Sequence, residues 1–281
     1  MNAALLRPLR VFLYLGWTLP MMLAQGAALG LRLPLSRHLP RFYHRWTCRI
    51  LGIRITTDGA MSRRKPTLFI SNHISYVDIE VLGALIEGCF VAKSEVAGWP
   101  LFGWLAKLQR TVFIDRRMRS TMAQRDAIRQ RLDGGDSLIL FPEGTSGDGN
   151  RVLPFKSALF SVADYAAGGG LPVQPVTIAY VRLDGIPLGR FYRPFFAWYG
   201  DMALAPHLWT MLGMGVVGVE VIFHPPVTLA ALGSRKALAD HCYRVVSAGL
   251  AGALAGRPQA AAPESAAGAA APAPVAAVGA R

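Results

Sequence analysis

Cysteine is scarce in this chain: three in 281 residues. Cys48, Cys89 and Cys242 are scattered and lack the paired spacing of a metal centre, so they read as buried thiols in a reducing compartment and no metal site is expected. Acidic residues are few as well, 17 Asp and Glu against 30 Lys and Arg, leaving a formal charge of +13. That imbalance attracts something anionic: nucleic acid, a membrane surface or an acidic protein. Zinc-finger spacing, aromatic-rich RNA-binding strands and a basic recognition helix are all lacking, so no nucleic-acid partner is expected. What the chain has in excess is apolar surface. Its hydrophobic content is 52% and its mean hydropathy +0.32, above what an ordinary soluble enzyme needs, and part of that excess reads as membrane-facing.

The run "VFLYLGWTLPMMLAQGAALGL", residues 11–31, is uncharged and long enough as a helix to cross about 30 Å of hydrocarbon. It is long for a signal peptide, and its cleavage pattern is poor. Pro20 and Gln25 weaken a simple span, so a crossing helix and a re-entrant hairpin both remain open. Next, "RFYHRWTCRI" sets Arg41, Arg45 and Arg49 on one helical face beside a stripe of Phe42, Trp46 and Ile50. That pattern suits a helix lying in the membrane interface, or an amphipathic helix packed on the domain. Basic residues flank the first run on both sides, more of them after it, which places the following domain on the cytoplasmic side of a bacterial inner membrane.

Beyond residue 50, short apolar runs alternate with helical segments. Strands are expected at 67–70, 89–93, 111–115, 137–141, 173–180 and 219–226, and helices near 78–87, 119–133, 156–167, 203–212 and 234–250. This predicts an α/β domain with a mostly parallel sheet flanked by helices, following an N-terminal membrane-associated helical segment. The expected organisation is 1–50 membrane-anchoring helices, 51–250 catalytic domain and 251–281 disordered Ala/Pro-rich tail. The apolar stretch "MALAPHLWTMLGMGVVG" contains Pro206, His207 and several glycines, and reads as helix then strand rather than a second membrane segment.

Chemistry is expected where strands end. "TLFISNHISYVD" runs from strand through Ser71 and Asn72 into a helix, placing His73 on the crevice rim beyond the sheet. A neutral imidazole is a competent general base near pH 7, and a carboxylate that holds the ring completes the pair. In a continuous helix, five residues turn about 500°, carrying Asp78 away from His73; they meet only if His73 lies in the turn. Asp78 also suits the first turn of a helix on dipole grounds. "SLILFPEGTSGDGN" repeats the strand-to-turn pattern and brings Glu143, Gly144 and Thr145 to the same rim if the strands are parallel. "GTSGDG" departs from a nucleophile elbow because Asp148 stands where the second glycine is required, so a Ser146 acyl-enzyme is not expected.

"NHISYVD" resembles the Asn-His-x4-Asp signature of the glycerolipid acyltransferases, the 1-acylglycerol-3-phosphate acyltransferase-like family. "VFIDR", "FPEGT" and "LPVQPV" resemble its second, third and fourth blocks, in order, across residues 51 to about 250. The resemblance implies transfer of a fatty acyl group from an acyl-carrier-protein or coenzyme A thioester to a lysolipid hydroxyl. His73 would be the base and Asp78 its orienting partner. Asn72, Arg116, Glu143, Gly144, Thr145, Ser146 and Lys156 would bind substrate. No metal, cofactor or covalent intermediate is implied. Two positions depart from the family pattern: Arg110 where glycine is frequent, and Ser146 where enzymes for phosphate acceptors commonly carry arginine. Serine cannot make the paired bonds of a guanidinium to phosphate, so the chain looks more like the bacterial branch that acylates lyso-ornithine lipid. Lysophosphatidate is the alternative acceptor, with Arg110 and Arg116 as phosphate ligands. The basic run "RRMRSTMAQRDAIRQR" would meet anionic lipid or an acidic acyl carrier protein. A non-catalytic lipid-binding protein and a hydrolase are the competing classes; the latter needs an activated serine that the sequence does not supply.

Overall fold

A computed structural model of the chain describes residues 2–114, 122–164 and 170–257. Two helices open it, α1 (Ala3–Gly30) and α2 (Leu39–Leu51). Strands β1 (Ile53–Asp58) and β2 (Leu68–Ser71) lead to α3 (Val77–Leu85), then β3 (Gly88–Lys93), α4 (Phe102–Leu108) and β4 (Val112–Ile114). After these come α5 (Met122–Asp133), β5 (Ser137–Leu140), β6 (Val173–Leu183), β7 (Ile186–Pro187), α6 (Leu204–Leu212), β8 (Val217–Phe223), α7 (Leu229–Leu232) and α8 (Arg235–Leu254). The sheet order is β1-β8-β6-β2-β5-β3-β4, with β7 paired to β6. Strands β6, β2, β5, β3 and β4 run parallel; β8 is antiparallel to β6 and carries β1 parallel to itself. The sheet is therefore mixed, with the expected parallel portion at its centre.

Two layers of core follow from strand periodicity. Leu68, Ile70, Cys89, Val91, Leu138 and Leu140 face α5, α8 and a 3-10 segment, Ser157–Asp164. Phe69, Phe90, Ile139, Ile178 and Tyr180 face the other way, against Cys48 of α2, Val81 and Leu82 of α3, and Met211 of α6. The expected helix at 156–167 is this 3-10 segment, and α8 runs past the expected edge at 250, with Ala253 buried. Strand β1 was not anticipated, because an edge strand reading Ile-Arg-Ile-Thr-Thr-Asp is half polar. The stretch at 202–218 is helix then strand, as expected.

Helix α1 continues through Pro8 and Pro20 and is attached to the domain near both ends. Arg10 donates to the carbonyls of Leu212 (3.1 Å) and Met214 (2.6 Å), while Gln25 donates to Leu108 (2.8 Å). Those anchors are separated by roughly 22 Å of helix at 1.5 Å per residue, so α1 lies across the domain rather than projecting from it. Helix α2 folds back along it: Trp17 donates to the Tyr43 carbonyl and packs on Phe42 and Trp46. The buried face of α2 is Tyr43, His44, Thr47 and Cys48, whereas Phe42, Trp46 and Arg49 stay exposed. Both earlier readings of α2 thus describe one face each.

Candidate active site

Strands β2 and β5 are parallel neighbours, so the turns that follow them meet at one rim of the sheet. The turn after β2 ends in α3, whose first turn carries Asp78. There the chain folds back: Asp78 Oδ2 accepts from His73 Nδ1 (2.9 Å), Ile74 N (2.6 Å) and Ser75 N (2.9 Å), and Oδ1 accepts from the Tyr180 hydroxyl (2.8 Å). Burial and the neighbouring Asp78 hold the Tyr180 phenol well above its ordinary pKa, so it stays protonated and donates. Four donors compensate a carboxylate that has no exposed surface. Taking Nδ1–H as donor leaves Nε2 as the basic nitrogen, and no described residue takes it up. The His73 side chain keeps 21% of its surface, and Phe141 stacks on the ring with centroids 4.2 Å apart, fixing its plane.

The second turn braces the first. Glu143 Oε1 accepts from His73 N (2.9 Å) and Oε2 from Leu153 N (3.1 Å). Burial pushes its pKa up to about 8; the two N–H donors pull the other way, and Asp78 adds to the rise. Gly147 N donates to the His73 carbonyl (2.9 Å), and Gly144 takes the left-handed conformation (φ 76°) that lets the loop turn.

The other expected site residues differ in exposure and in partners. Asn72 is 1% exposed and its amide both donates to and accepts from the backbone of Ile178 (2.9 and 2.8 Å). It pins β2 to β6 and is sealed from substrate. Glu143, 2% exposed, likewise spends both oxygens on backbone and positions the loop instead of binding a ligand. The Ser146 hydroxyl donates to the Trp198 carbonyl, whereas Thr145 and Lys156 are exposed beside the rim. Arg110 precedes β4, so it sits at the opposite edge of the parallel sheet, where it pairs with Asp136. It cannot serve an acceptor at His73. Its positive φ (64°) explains why glycine suits that position. Arg116 lies outside the described residues. Sequence reasoning missed Tyr180 and Phe141; one shares the inward face of β6 with Ile178, and the other follows β5 directly before Pro142.

An apolar cavity of about 160 Å³ lies near this rim, between α1, α2, α3 and α4. Met21, Met22, Tyr76, Phe90, Phe102 and Leu105 are among its walls, and the Phe90 ring lies 6.2 Å from that of Phe141. At its side, buried His44 bonds Glu80 through Nδ1 (2.6 Å) and Gln109 through Nε2 (2.8 Å). Burial lowers the His44 pKa, but Glu80 and Gln109 outweigh it and the net shift is upward.

The chain belongs to the Acyltransferase family: residues 52–179 match the family model of that name, and the similarity to lyso-ornithine lipid O-acyltransferases extends over most of the chain. The chain is 49% identical over 227 residues to the lyso-ornithine lipid O-acyltransferase of Brucella abortus, covering 79% of this chain and 85% of that one. It is 43% identical over 224 residues to the protein of the same name from Rhizobium meliloti, covering 78% and 77%. The fold is that of the 1-acyl-sn-glycerophosphate acyltransferase of Thermotoga maritima, with a TM-score of 0.60 at 23% identity over 88% of this chain and 94% of that one.

Proposed function

We propose that the chain is a lysolipid O-acyltransferase that moves a fatty acyl group from a thioester to the hydroxyl of lyso-ornithine lipid. The observation that carries the chemistry is His73 Nε2, which no described residue takes up, at an accessible rim while Asp78 holds Nδ1. The acceptor hydroxyl gives its proton to Nε2 as its oxygen bonds to the thioester carbonyl carbon. Collapse of the tetrahedral adduct breaks the C–S bond, and the imidazolium returns the proton to the departing thiolate. Asp78 keeps its hydrogen bond to Nδ1 throughout and stabilises the imidazolium. The donor brings the acyl group already activated, so the chemistry needs no cofactor or metal.

The acceptor assignment is supported by the names of the two relatives and by Ser146, whose hydroxyl is tied to Trp198 and offers no cation to a phosphate. The apolar cavity suits a hydrocarbon chain, two stacked rings away from His73. Attached near both ends, α1 would lie in the inner-membrane interface on its cytoplasmic side, drawing its lysolipid from that leaflet. The basic run from Arg116 to Arg131 would meet an acidic acyl carrier protein, and neutralising its charges should flatten the salt dependence of transfer.

The deciding experiment offers purified protein lyso-ornithine lipid and lysophosphatidate side by side, with labelled acyl-carrier-protein and coenzyme A thioesters. Preference for lyso-ornithine lipid is expected. Preference for the phosphate acceptor would overturn the reading of Ser146. Binding without turnover would make the chain a lipid-binding protein, and thioester cleavage without an acceptor would make it a hydrolase.

A further inference from the structure

Resting on the membrane-enzyme reading above, we infer that the segment Ile186–Phe195 is a second membrane-contact surface, built on the catalytic domain and seated in an anionic lipid interface beside the active-site rim. Phe191 is 86% exposed, and Ile186, Tyr192 and Phe195 each keep more than half of their surface. Such side chains in a water-facing loop normally fold inward, yet here ordered structure holds them outward. Leu188 N donates to Val181 O (2.8 Å), Tyr192 stacks on Phe195, and Arg193 Nη1 donates to Asn150 Oδ1 (2.9 Å). Leu188, Phe196 and Ala197 plug the segment into the core from below.

Three observations select a bilayer as the occupant. The first is composition: Arg190 and Arg193 interleave with Phe191, Tyr192 and Phe195, and no acid occurs between Asp184 and Asp201. Aromatic rings at headgroup depth with guanidinium groups reaching phosphates are the pattern of an interfacial segment. The second is place. The plugging residues pack in the same core layer as α2, α3 and α6, the sheet face over which α1 lies with its exposed Leu5, Phe12, Leu19 and Leu23. Trp209 of α6, half-exposed, lies under Arg7 of α1. The third is the link to chemistry. Asn150, bonded by Arg193, belongs to the turn after β5, and Trp198 N donates to Ile74 O (3.0 Å) beside His73. A surface bound by this segment would bring an acceptor in the leaflet to the rim without passage through bulk water.

The test uses the full chain on phosphatidylglycerol-containing vesicles, with the environment-sensitive fluorophore NBD on Phe191→Cys. The three native cysteines are buried, so the label is selective. Leu23→Cys on α1 and Lys236→Cys on α8, which covers the other sheet face, are the references. Label at 191 should be quenched by doxyl-labelled lipid like that at 23, while label at 236 responds only to aqueous iodide. Iodide quenching at 191 in vesicle-bound protein would overturn the inference, as would protection by acyl carrier protein or by a second copy of the chain without vesicles. The variant Phe191→Ser should lower transfer to acceptor presented in vesicles about tenfold, the loss expected from one buried aromatic, and leave transfer to detergent-dispersed acceptor unchanged. Equal loss in both formats, or none in either, would contradict it. If the wild-type protein transfers acyl groups to no lysolipid, the functional reading fails while the quenching result still judges the contact surface.

Discussion

His73 and His44 are both imidazoles bonded to a carboxylate through Nδ1, at 2.9 Å to Asp78 and 2.6 Å to Glu80. They differ at the other nitrogen. His73 leaves Nε2 to the crevice, whereas Gln109 occupies the Nε2 of His44 inside the molecule. Pairing with an acid orients a ring, but only an unoccupied nitrogen that a substrate can reach makes a base. His44 instead locks α2 onto α3 and the end of α4. The sharpest way to break this contrast is to delete both rings separately. His73→Ala should lower turnover by about 10²–10⁴-fold with little change in stability. His44→Ala should keep the turnover of the folded fraction but lose about 2–4 kcal/mol of stability in denaturant unfolding, because Glu80 is left without its partner. Lost turnover in His44→Ala at unchanged stability would erase the distinction.

The next contrast lies in what the carboxylate does. Asp78→Asn offers an amide donor to Nδ1, moving the ring proton to Nε2 where a base needs a lone pair. Turnover should fall about a hundredfold or more, measured across pH to separate it from a shifted optimum. Tyr180→Phe removes one of four donors from the same carboxylate and should cost about 1–3 kcal/mol, shared between stability and rate. At the structural pair, closeness is the lever. A Cβ at Gly83 would meet the His44 ring at 2.4 Å. Gly83→Ala should therefore separate α2 from α3, with about 1–3 kcal/mol lost in unfolding and the catalytic pH profile unmoved.

The two histidines also show what could be read before the fold was known. "NHISYVD" was legible because strand, turn and helix are local patterns, and the fold-back that joins His73 to Asp78 needs only the first turn of α3. The central strands that carry Phe69, Phe90 and Ile139 were legible too, as short apolar runs bounded by turns. What was not legible was sealing. Asn72 and Glu143 have the residue types of ligand-binding groups, and nothing in their spacing says that Ile178 N, His73 N and Leu153 N take up their polar atoms. Arg110 failed for a different reason: its rim depends on whether it precedes or follows β4, so a boundary decides its role. His44 drew no attention at all, because its partners Glu80 and Gln109 come from distant segments.

Glu143 supplies the finest version of the comparison, a sealed acid next to a working one. Its pKa is about 8 in the folded protein, against 4.5 for an unperturbed glutamate, because burial penalises its charge. The unfolded chain therefore ionises this group first as pH rises. Its contribution to stability is complete below about pH 4.5 and is lost progressively up to about pH 8, with a slope of at most about 1.4 kcal/mol per pH unit. In Glu143→Gln the amide keeps one acceptor for the two N–H donors and cannot ionise. The variant should be less stable than wild type at pH 5 by about 1–3 kcal/mol, and the gap should narrow between pH 5 and 8 as the wild-type protein alone bears the cost of a buried charge. Denaturant unfolding of the two proteins at several pH values reads that gap directly. A constant gap would mean that the N–H groups of His73 and Leu153 keep Glu143 ionised throughout, making the brace beneath His73 a charged one.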